Sequence, residues 1–415
     1  MNTPIPYGRQ HITQEDIDAV AEVLRSDYLT QGPKVKEFED AFSAYVGAKY
    51  AVAVSNGTAA LHLNALALGV KPGDKVITTP ITFAASANCV RYCGGQVVFA
   101  DIDPDTYLLD IDSVRKLLEA SPKGTYAGII PVDFAGRAVD LEAFRALADA
   151  FDCWIIEDSC HSPGGYFIDS KGKKQHCGNG QFADLAIFSF HPVKHIAAGE
   201  GGMITTNNEE LYKKLLMLRS HGITRDESLF ENSIEFASGN LNSEPQPSNS
   251  SYPAWYMEMR ALGYNYRITD FQAALGLSQL KRADEGLKRR QEIASRYYQT
   301  FKDLPQVTDR NYEVDKNPQH STEYRPQSGH AYHLYILEVK NRLGLYNHLR
   351  ENQIFAQVHY IPIHLMPYYR QFGWKEGDMP IAETYYQNCI SLPMYPTLGL
   401  EQQAFVIYMV NSYYR

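Results

Sequence analysis

The sequence predicts an α/β protein with a large, mainly parallel sheet and a smaller α+β C-terminal domain. Between residues 50 and 206, short apolar runs alternate with helical stretches, a pattern typical of parallel strands joined by right-handed crossovers, with helices on both faces. The tail after residue 330 also alternates strands and helices. The 415 residues exceed the usual single-domain length of roughly 100 to 200 residues. We therefore expect two domains, at residues 1–262 and 263–415.

Two helices are expected in the N-terminal segment. Thr13 can cap a helix over residues 14–26, in which Ile17, Val20 and Leu24 share one face. A second helix is expected over residues 34–46. The strands of the large sheet follow, with apolar runs at residues 51–54, 75–78, 96–101, 125–131, 153–157, 183–190 and 202–205.

Polar, proline-containing segments break this pattern at residues 226–253 and 305–329. Neither can bury much apolar area, so both are expected to be surface excursions or mobile flaps. Between them, Thr269 and Gln272 form a capping box, which predicts a long helix that reaches Phe301 and bridges the two domains. The tail predicts a strand at residues 331–339, a helix at 342–352, an extended segment at 358–362 and a closing helix at 401–413.

Composition argues against several classes of function. The formal net charge of -9 and the pI of about 5.8 disfavour nucleic acid or an anionic membrane as a partner, because both favour clusters of Lys and Arg. Polar residues interrupt the most apolar long window, residues 51–70, which disfavours a membrane-spanning helix. The first residues do not resemble a signal peptide. Six cysteines without paired spacing predict reduced thiols and a cytoplasmic location.

Residues 55–60 (SNGTAA) follow a strand and begin a helix that runs to Gly69. Gly57 allows backbone amides to approach a ligand closely, and the N-terminus of a helix attracts phosphate through its unpaired N–H groups and its dipole. An ordinary capped helix start has the same pattern. This segment alone is therefore compatible with either interpretation.

Carboxylates follow the apolar run at residues 153–156, where Glu157 and Asp158 end a strand. Open α/β sheets bind their ligands at this end of the strands. Alternation along the strand sends the two side chains to opposite faces. Asp158 can cap the next turn, bind a metal ion or face a pyridinium nitrogen.

Lys194 is the most informative residue of the chain. It follows the apolar run at residues 183–190 and Pro192, and a glycine-rich stretch at residues 199–202 comes next. We expect its amine at the sheet edge, where desolvation and nearby positive charge lower its pKa and make it a nucleophile. A helix start for phosphate, a carboxylate and a lysine together fit pyridoxal phosphate (PLP).

Two further motifs suggest other chemistry. Cys160 with His161 and His176 with Cys177 resemble halves of a zinc site, but no further ligands occur at supporting spacing, so we expect no metal. Residues 199–202 (GEGG) lack the full dinucleotide-binding fingerprint and precede a strand instead of beginning a helix.

Five ordered segments resemble the sugar aminotransferases of the DegT/DnrJ/EryC1/StrS family: residues 55–61 (SNGTAAL), 157–161 (EDSCH), 188–194 (FSFHPVK), 199–202 (GEGG) and 263–267 (GYNYR). The resemblance runs over nearly the whole chain. It implies PLP as the cofactor and the aspartate-aminotransferase-like fold type I of PLP-dependent transferases. Some relatives are dehydratases with histidine in place of the lysine, and the presence of Lys194 disfavours that branch.

The resemblance also implies roles for individual residues. Lys194 would hold the cofactor as a Schiff base and act as the catalytic base, and Asp158 would pair with the pyridine nitrogen. The other cofactor contacts would be Gly57, Thr58 and Ser189 at the phosphate, Phe83 at the ring face, His161 near the phenolic oxygen, and Asn265 and Arg267 at the phosphate of a neighbouring subunit. A homodimer with shared sites is therefore implied, and a monomer is expected to be inactive.

Within the family, residues 131–136 (PVDFAG), 188–194 and 265–270 (NYRITD) most resemble the transaminases of pseudaminic acid synthesis. Those enzymes use L-glutamate to aminate C4 of a UDP-linked 4-keto-6-deoxy-N-acetylhexosamine, which implies this substrate and this donor. The alternatives are amination at C3, another UDP- or TDP-linked keto sugar, and a non-catalytic protein that binds cofactor or nucleotide on the same fold.

We expect the sugar nucleotide to bind between the domains. The candidate residues are Tyr7, Thr30 and Gln31 from the N-terminal segment and His330, His359 and Tyr360 from the C-terminal domain. The carboxylates of glutamate need a cation, and the candidates are Arg91, Arg137, Arg219 and Arg225.

Overall fold

The chain forms a seven-stranded sheet flanked by helices and a smaller three-stranded sheet nearer the C-terminus. The computed structural model describes residues 4–239, 251–313, 325–326 and 329–415. Across the large sheet, the strands lie in the order Tyr50–Val54, Gly202–Thr206, Leu185–Ser189, Trp154–Asp158, Tyr126–Ile130, Lys75–Thr78 and Gln96–Phe99. Gly202–Thr206 alone runs opposite to the other six strands of this sheet, so the prediction of a mainly parallel sheet is confirmed.

The central strands are apolar on both faces because helices cover both sides of the sheet. Ile155 and Ile156 point to opposite faces of the strand Trp154–Asp158, and both are fully buried. The parallel strands bring their carboxyl ends to one edge, and Gly202–Thr206 starts at this edge because it runs in the opposite direction. The residues that follow several strands therefore meet at the same edge.

Helices Gln14–Leu24 and Pro33–Val46 confirm the two helices predicted in the N-terminal segment. Further helices follow along the chain: Gly57–Ala67, Ala85–Tyr92, Ile111–Glu119, Leu141–Phe151, Glu209–Arg219, Ile234–Ala237, Asp270–Leu280, Ala283–Phe301, Arg342–Glu351, Pro367–Arg370, Pro380–Asn388 and Leu400–Tyr413. Short 3-10 turns lie at Phe134–Gly136, Glu227–Leu229 and Ile363–Leu365.

The single helix predicted over residues 269–301 is wrong, although its capping box is present. The chain forms two helices there, Asp270–Leu280 and Ala283–Phe301. Between them, Arg282 leaves helical geometry at φ -113° and ψ 9°. Its guanidinium binds the carboxylate of Asp16, so a contact with the N-terminal segment anchors the residue where the helix breaks.

The smaller sheet consists of the antiparallel strands Val307–Thr308, Tyr335–Val339 and Cys389–Leu392. The helix Ala283–Phe301 packs on it through a cluster that includes Ile293, Tyr297, Tyr335, Leu337, Ile390 and Leu392. The strand Cys389–Leu392 was not predicted from the sequence. The expected extended segment at residues 358–362 lies beside it without forming a strand.

The strand predicted at residues 331–339 begins only at Tyr335. The residues before it bond to the loop that follows a large-sheet strand instead: the N–H of Ala331 donates to the carbonyl of Gly136 at 2.7 Å, and that of Leu334 donates to the carbonyl of Ala135 at 3.2 Å. Residues 330–334 therefore connect the two sheets.

The polar segments at residues 226–253 and 305–329 are described only in part. Residues 240–250, 314–324 and 327–328 lie outside the described residues. Val307–Thr308 is an edge strand of the smaller sheet, so the surface-excursion prediction is wrong for this part of the second segment. The remaining short strands pair as Ile5–Pro6 with Ile354–Phe355, Tyr166–Ile168 with Lys174–His176, Ile223–Thr224 with Glu258–Met259, and Tyr312–Glu313 with Arg325–Pro326.

Within the part of the chain that the structure describes, no helix is both long enough and apolar enough to cross a membrane. The six cysteines are free thiols. The domain boundary between residues 262 and 263 stays a prediction.

Candidate active site

The carboxyl edge of the large sheet opens into a cavity of about 850 Å³. Gly57, Thr58, Asp158, Ser189 and Lys194 all line this cavity. They come from three separate stretches of sequence, and the sheet brings them together because the parallel strands end at one edge.

The helix Gly57–Ala67 begins at the cavity. The side chain of Asn56 caps it by accepting a hydrogen bond from the N–H of Ala59 at 2.8 Å, and the amides of the first turn have no acceptor within the helix. A side chain at Gly57 would place its Cβ 3.1 Å from the Cβ of Ser189, so glycine allows the helix to start close to the neighbouring strand end. Helix N-termini of this kind bind phosphate.

Asp158 ends its strand with a buried carboxylate that two donors hold. The hydroxyl of Ser86 donates to Oδ2 at 2.6 Å, and the amide of Cys160 donates to Oδ1 at 3.2 Å. Hydrogen bonds to a carboxylate stabilise its ionised form. Sequence reasoning missed Ser86, which lies in the helix Ala85–Tyr92 after the third strand along the chain.

Lys194 lies in the turn after the strand Leu185–Ser189, and its own N–H donates to the carbonyl of His191 at 2.8 Å. Burial lowers the pKa of its amine, and the positive charge of Arg290 lowers it further, whereas Cys160 and Asp158 raise it. A lysine with a lowered pKa has a larger neutral fraction near pH 7 and is a better nucleophile.

Buried imidazoles form the wall beside the lysine. The Nδ1 atom of His161 accepts from the N–H of Ala135 at 3.2 Å, and its Nε2 atom lies 3.4 Å from the hydroxyl of Tyr360. The rings of His161 and His333 lie side by side, with their centroids 4.2 Å apart. Burial lowers the pKa of both imidazoles well below the usual value, and that of His359 to about 3. All three are therefore neutral at pH 7.

The cavity also includes Phe83, Tyr7, His359 and Tyr360 from the predicted set. The side chain of Phe83 is 64% exposed, so this ring lies at the mouth. His333 lines the cavity too, and sequence reasoning missed it although it lies three residues after a histidine that was chosen.

Asn265 and Arg267 are absent from the cavity of their own chain. Tyr266, between them, lines the cavity, and its carbonyl accepts from the N–H of Ser55 at 2.8 Å. Neighbouring residues of an extended segment point in opposite directions. Asn265 and Arg267 are therefore expected to point away from the cavity of their own chain.

Three of the substrate candidates lie outside the cavity, and their role in substrate binding stays a prediction. Thr30 forms a backbone bridge with Thr269, and the side chain of Gln31 donates to the carbonyl of Ile268 at 3.3 Å, so both are held outside the cavity. His330 is buried, and its Nδ1 accepts from the N–H of Tyr332 at 2.9 Å. None of the three lines the cavity.

Among the described residues, the four arginines considered for glutamate also lie outside the cavity. Arg219 pairs with Glu39 at 2.7 Å. Arg91 and Arg137 donate to backbone carbonyls, whereas Arg225 is exposed.

Glu157 lies on the opposite face of its strand from Asp158, in a buried cluster with Asp133 and Cys177. Their potential ligand atoms are all within 4.8 Å of one another. Both oxygens of Glu157 accept from the N–H of Gly178, and burial raises the pKa of Glu157 and of Asp133. The N–H of Val139 and the hydroxyl of Ser162 donate to the carboxyl group of Asp133, so donors from the protein bind the carboxyl oxygens of this cluster. The expectation that the protein binds no metal stays a prediction.

The cavity matches the parts of pyridoxal phosphate. The phosphate fits the helix start at Gly57, the ring nitrogen fits the buried carboxylate of Asp158, and the aldehyde fits the amine of Lys194. On a mainly parallel α/β sheet, this combination defines a PLP-dependent aminotransferase of fold type I.

The chain belongs to the DegT/DnrJ/EryC1/StrS aminotransferase family, which it matches over residues 10–411. Enzymes of this family use PLP, and solved relatives carry the cofactor as PLP or as pyridoxamine phosphate. The protein is therefore a PLP-dependent sugar aminotransferase.

Three similar proteins illustrate the range of the family. The spore coat polysaccharide biosynthesis protein SpsC of Bacillus subtilis is 40% identical over 404 residues, which cover 95% of this chain and 93% of SpsC. The UDP-4-amino-4,6-dideoxy-N-acetyl-beta-L-altrosamine transaminase of Campylobacter jejuni is 35% identical over 409 residues, which cover 97% of this chain and 95% of the transaminase. The structure of Helicobacter pylori PseC, an aminotransferase involved in the biosynthesis of pseudoaminic acid, aligns with a TM-score of 0.81, 30% identity and 99% of both chains covered.

Proposed function

We propose that this enzyme transfers the amino group of L-glutamate to C4 of UDP-2-acetamido-2,6-dideoxyhexos-4-ulose, as in pseudaminic acid synthesis. The observation that carries the reaction is the shared cavity of Lys194 and Asp158. The substrate is supported by the similarity to the Campylobacter jejuni transaminase and to Helicobacter pylori PseC over almost the whole chain.

The residues of the cavity divide the chemistry between them. Bound PLP supplies a ring that accepts electrons from the reacting carbon. Asp158, held by Ser86 and the amide of Cys160, keeps a proton on the ring nitrogen. The neutral amine of Lys194 takes the proton from Cα of glutamate and later delivers a proton to C4 of the sugar. One amine therefore serves both half-reactions.

The positions of the other cavity residues support the remaining cofactor contacts that we propose. Gly57, Thr58 and Ser189 surround the helix start and would hold the phosphate. Phe83, at the mouth, would cover the ring. His161, a neutral imidazole held by a backbone amide, would donate to the phenolic oxygen.

We further propose a homodimer with shared sites, in which Asn265 and Arg267 of one chain reach the phosphate in the other. Trp255, Met259 and Leu262, shortly before them in the chain, are 72%, 64% and 76% exposed. Exposed apolar side chains that lie together are typical of protein interfaces.

The substrates need further contacts. Tyr7, His359 and Tyr360, joined by His333, offer uncharged rings for stacking and hydrogen bonds to the sugar nucleotide. For the carboxylate of glutamate, Arg225 is the candidate, because it is exposed and would be available to a second copy of the chain.

The test has two steps. First, the holoenzyme is mixed with excess L-glutamate, and the yellow absorbance of bound PLP is expected to convert to that of pyridoxamine phosphate. No change would instead favour a non-catalytic binding protein. Second, UDP-4-keto, UDP-3-keto and TDP-keto sugars are supplied, and the mass of the amino sugar is measured. Product only from a UDP-3-keto or a TDP-linked sugar would refute the proposed substrate and leave the cofactor chemistry intact.

A further inference from the structure

Arg290 is a fully buried arginine without a carboxylate partner in the described part of the chain. It lies in the helix Ala283–Phe301 and is 1% exposed. Its Nη1 atom donates to three backbone carbonyls, those of Tyr332 at 3.2 Å, His333 at 3.3 Å and Met394 at 3.0 Å. A buried charge without an opposite charge is costly, so the position needs a functional explanation.

Two of these carbonyls belong to a wall of the active site. His333 lines the cavity. The carbonyl of Ala331, one residue before Tyr332, lies 2.8 Å from the Nε2 atom of His195, and His195 follows Lys194 directly in the chain. Arg290 therefore binds the segment 331–333, which in turn contacts His195, the residue next to Lys194.

The third carbonyl, that of Met394, belongs to a residue that contacts another wall of the cavity. The N–H of Met394 donates to the carbonyl of Tyr7 at 2.9 Å. Tyr7 lines the cavity, and its ring packs against that of His359 with a centroid distance of 5.2 Å. One guanidinium group thus joins two walls that come from distant parts of the chain.

The charge of Arg290 acts on the same amine. Burial lowers the pKa of Arg290 to about 10, so the guanidinium stays charged at neutral pH. This charge lowers the pKa of Lys194 in addition to the larger effect of burial, against the opposing effects of Cys160 and Asp158. The other titratable groups of the cavity and its back wall are Tyr7, His62, Tyr92, His161, His191, His195, Glu200, Tyr266, His333, His359 and Tyr360.

We propose that Arg290 is a positioning residue for the aminotransferase reaction: its bonds to three carbonyls fix the walls that carry His333 and Tyr7, and its positive charge adds to the effect of burial on the amine of Lys194. This inference rests on the role proposed above for Lys194.

Three variants separate the two effects. Arg290→Gln removes the charge, and Arg290→Lys keeps a cation but loses the planar group that reaches three carbonyls. Arg289→Gln is the control, because Arg289 is the next residue in the helix but does not line the cavity: it pairs with Glu292 at 2.9 Å and donates to the carbonyl of Leu398 at 3.0 Å. Circular dichroism and PLP content verify that each variant folds.

The charge is tested through the protonation of Lys194. The full-length chain, freed of cofactor, is treated with cyanate, which modifies neutral amines, and the labelled peptide is quantified by mass spectrometry as a function of pH. In Arg290→Gln the midpoint for Lys194 is expected to move to higher pH, because the guanidinium no longer opposes protonation of the amine, and less of Lys194 should be labelled at a given pH below the midpoint. The acidic limb of kcat/KM in the holoenzyme should move in the same direction. Arg289→Gln should match the wild type in both measurements.

The wall role is tested by KM for the sugar nucleotide, which is expected to rise several-fold in Arg290→Lys. An unchanged cyanate midpoint in folded Arg290→Gln, or in Arg290→Met if the glutamine variant does not fold, would overturn the charge role. An unchanged KM in Arg290→Lys would overturn the wall role. Failure of the underlying assignment looks different: borohydride would then trap the cofactor in the wild type on a residue other than Lys194.

Discussion

Replacing Ser86 by alanine tests how strongly the protein holds the carboxylate of Asp158. The hydroxyl of Ser86 donates to this carboxylate at 2.6 Å and lies 2.8 Å from the hydroxyl of Thr82. Ser86 is fully buried, and removing one oxygen atom leaves too little space for a water molecule to replace the donor. After the substitution, the amide of Cys160 at 3.2 Å remains as a donor to Asp158.

The size of the effect follows from the bond that is lost. A hydrogen bond to a charged group contributes roughly 1.5 to 3 kcal/mol. We expect kcat/KM to fall about tenfold, which corresponds to about 1.4 kcal/mol, because the carboxylate is less well oriented toward the ring nitrogen. The free energy of unfolding should also fall, because this hydrogen bond is made only in the folded state. Initial rates with glutamate and the keto sugar, and urea unfolding monitored by circular dichroism, measure the two effects.

Ser162→Ala is the matched control. Ser162 is equally buried, and its hydroxyl donates to the carboxyl group of Asp133 at the same distance of 2.6 Å, but neither residue lines the cavity. This variant should lose stability and keep kcat/KM. Equal kcat/KM in Ser86→Ala and the wild type, or equal losses in both variants, would refute the reasoning.

Three further predictions follow from the same geometry. Lys194→Ala and Arg267→Ala should each be inactive alone. A randomly mixed population should regain about a quarter of the wild-type activity, because half of the dimers are mixed and each of these holds one intact site. An inactive mixture in which mass spectrometry detects the mixed dimer would argue against shared sites. Gly57→Ala should weaken PLP binding about tenfold, because the new Cβ would lie 3.1 Å from the Cβ of Ser189 at the neighbouring strand end. Overpacking of this kind costs roughly 1 to 3 kcal/mol. Fluorescence titration with PLP measures the affinity, and an unchanged affinity would contradict the prediction. The raised pKa of Glu157 and of Asp133 implies stability that is present at low pH and is lost as pH rises through the folded-state pKa. Asp133→Asn should therefore gain stability relative to the wild type as pH rises. Urea unfolding at several pH values measures this, and the same difference in free energy of unfolding at every pH would contradict it.

The strand ends could be predicted from the sequence because the information for them is local. Asp158 and Lys194 each follow an apolar run, and parallel strands that end together bring both to one edge. The position of His333 depends instead on backbone bonds between residues 330–334 and a loop of the large sheet, so the sequence pattern pointed to His330. Likewise, the helix break at Arg282 depends on a partner in the N-terminal segment, which no local pattern reveals.

The link between Tyr7 and Met394 has a consequence for how the protein is made. The strand Ile5–Pro6 pairs with Ile354–Phe355, and Tyr7 bonds to a residue nearer still to the C-terminus. On the ribosome, Ile5, Pro6 and Tyr7 can form these contacts only after residues 354, 355 and 394 have been synthesised. A nascent polypeptide that stops before residue 354 lacks the partner strand of Ile5–Pro6 and the cavity residues His359 and Tyr360, so it should retain vitamin B6 poorly.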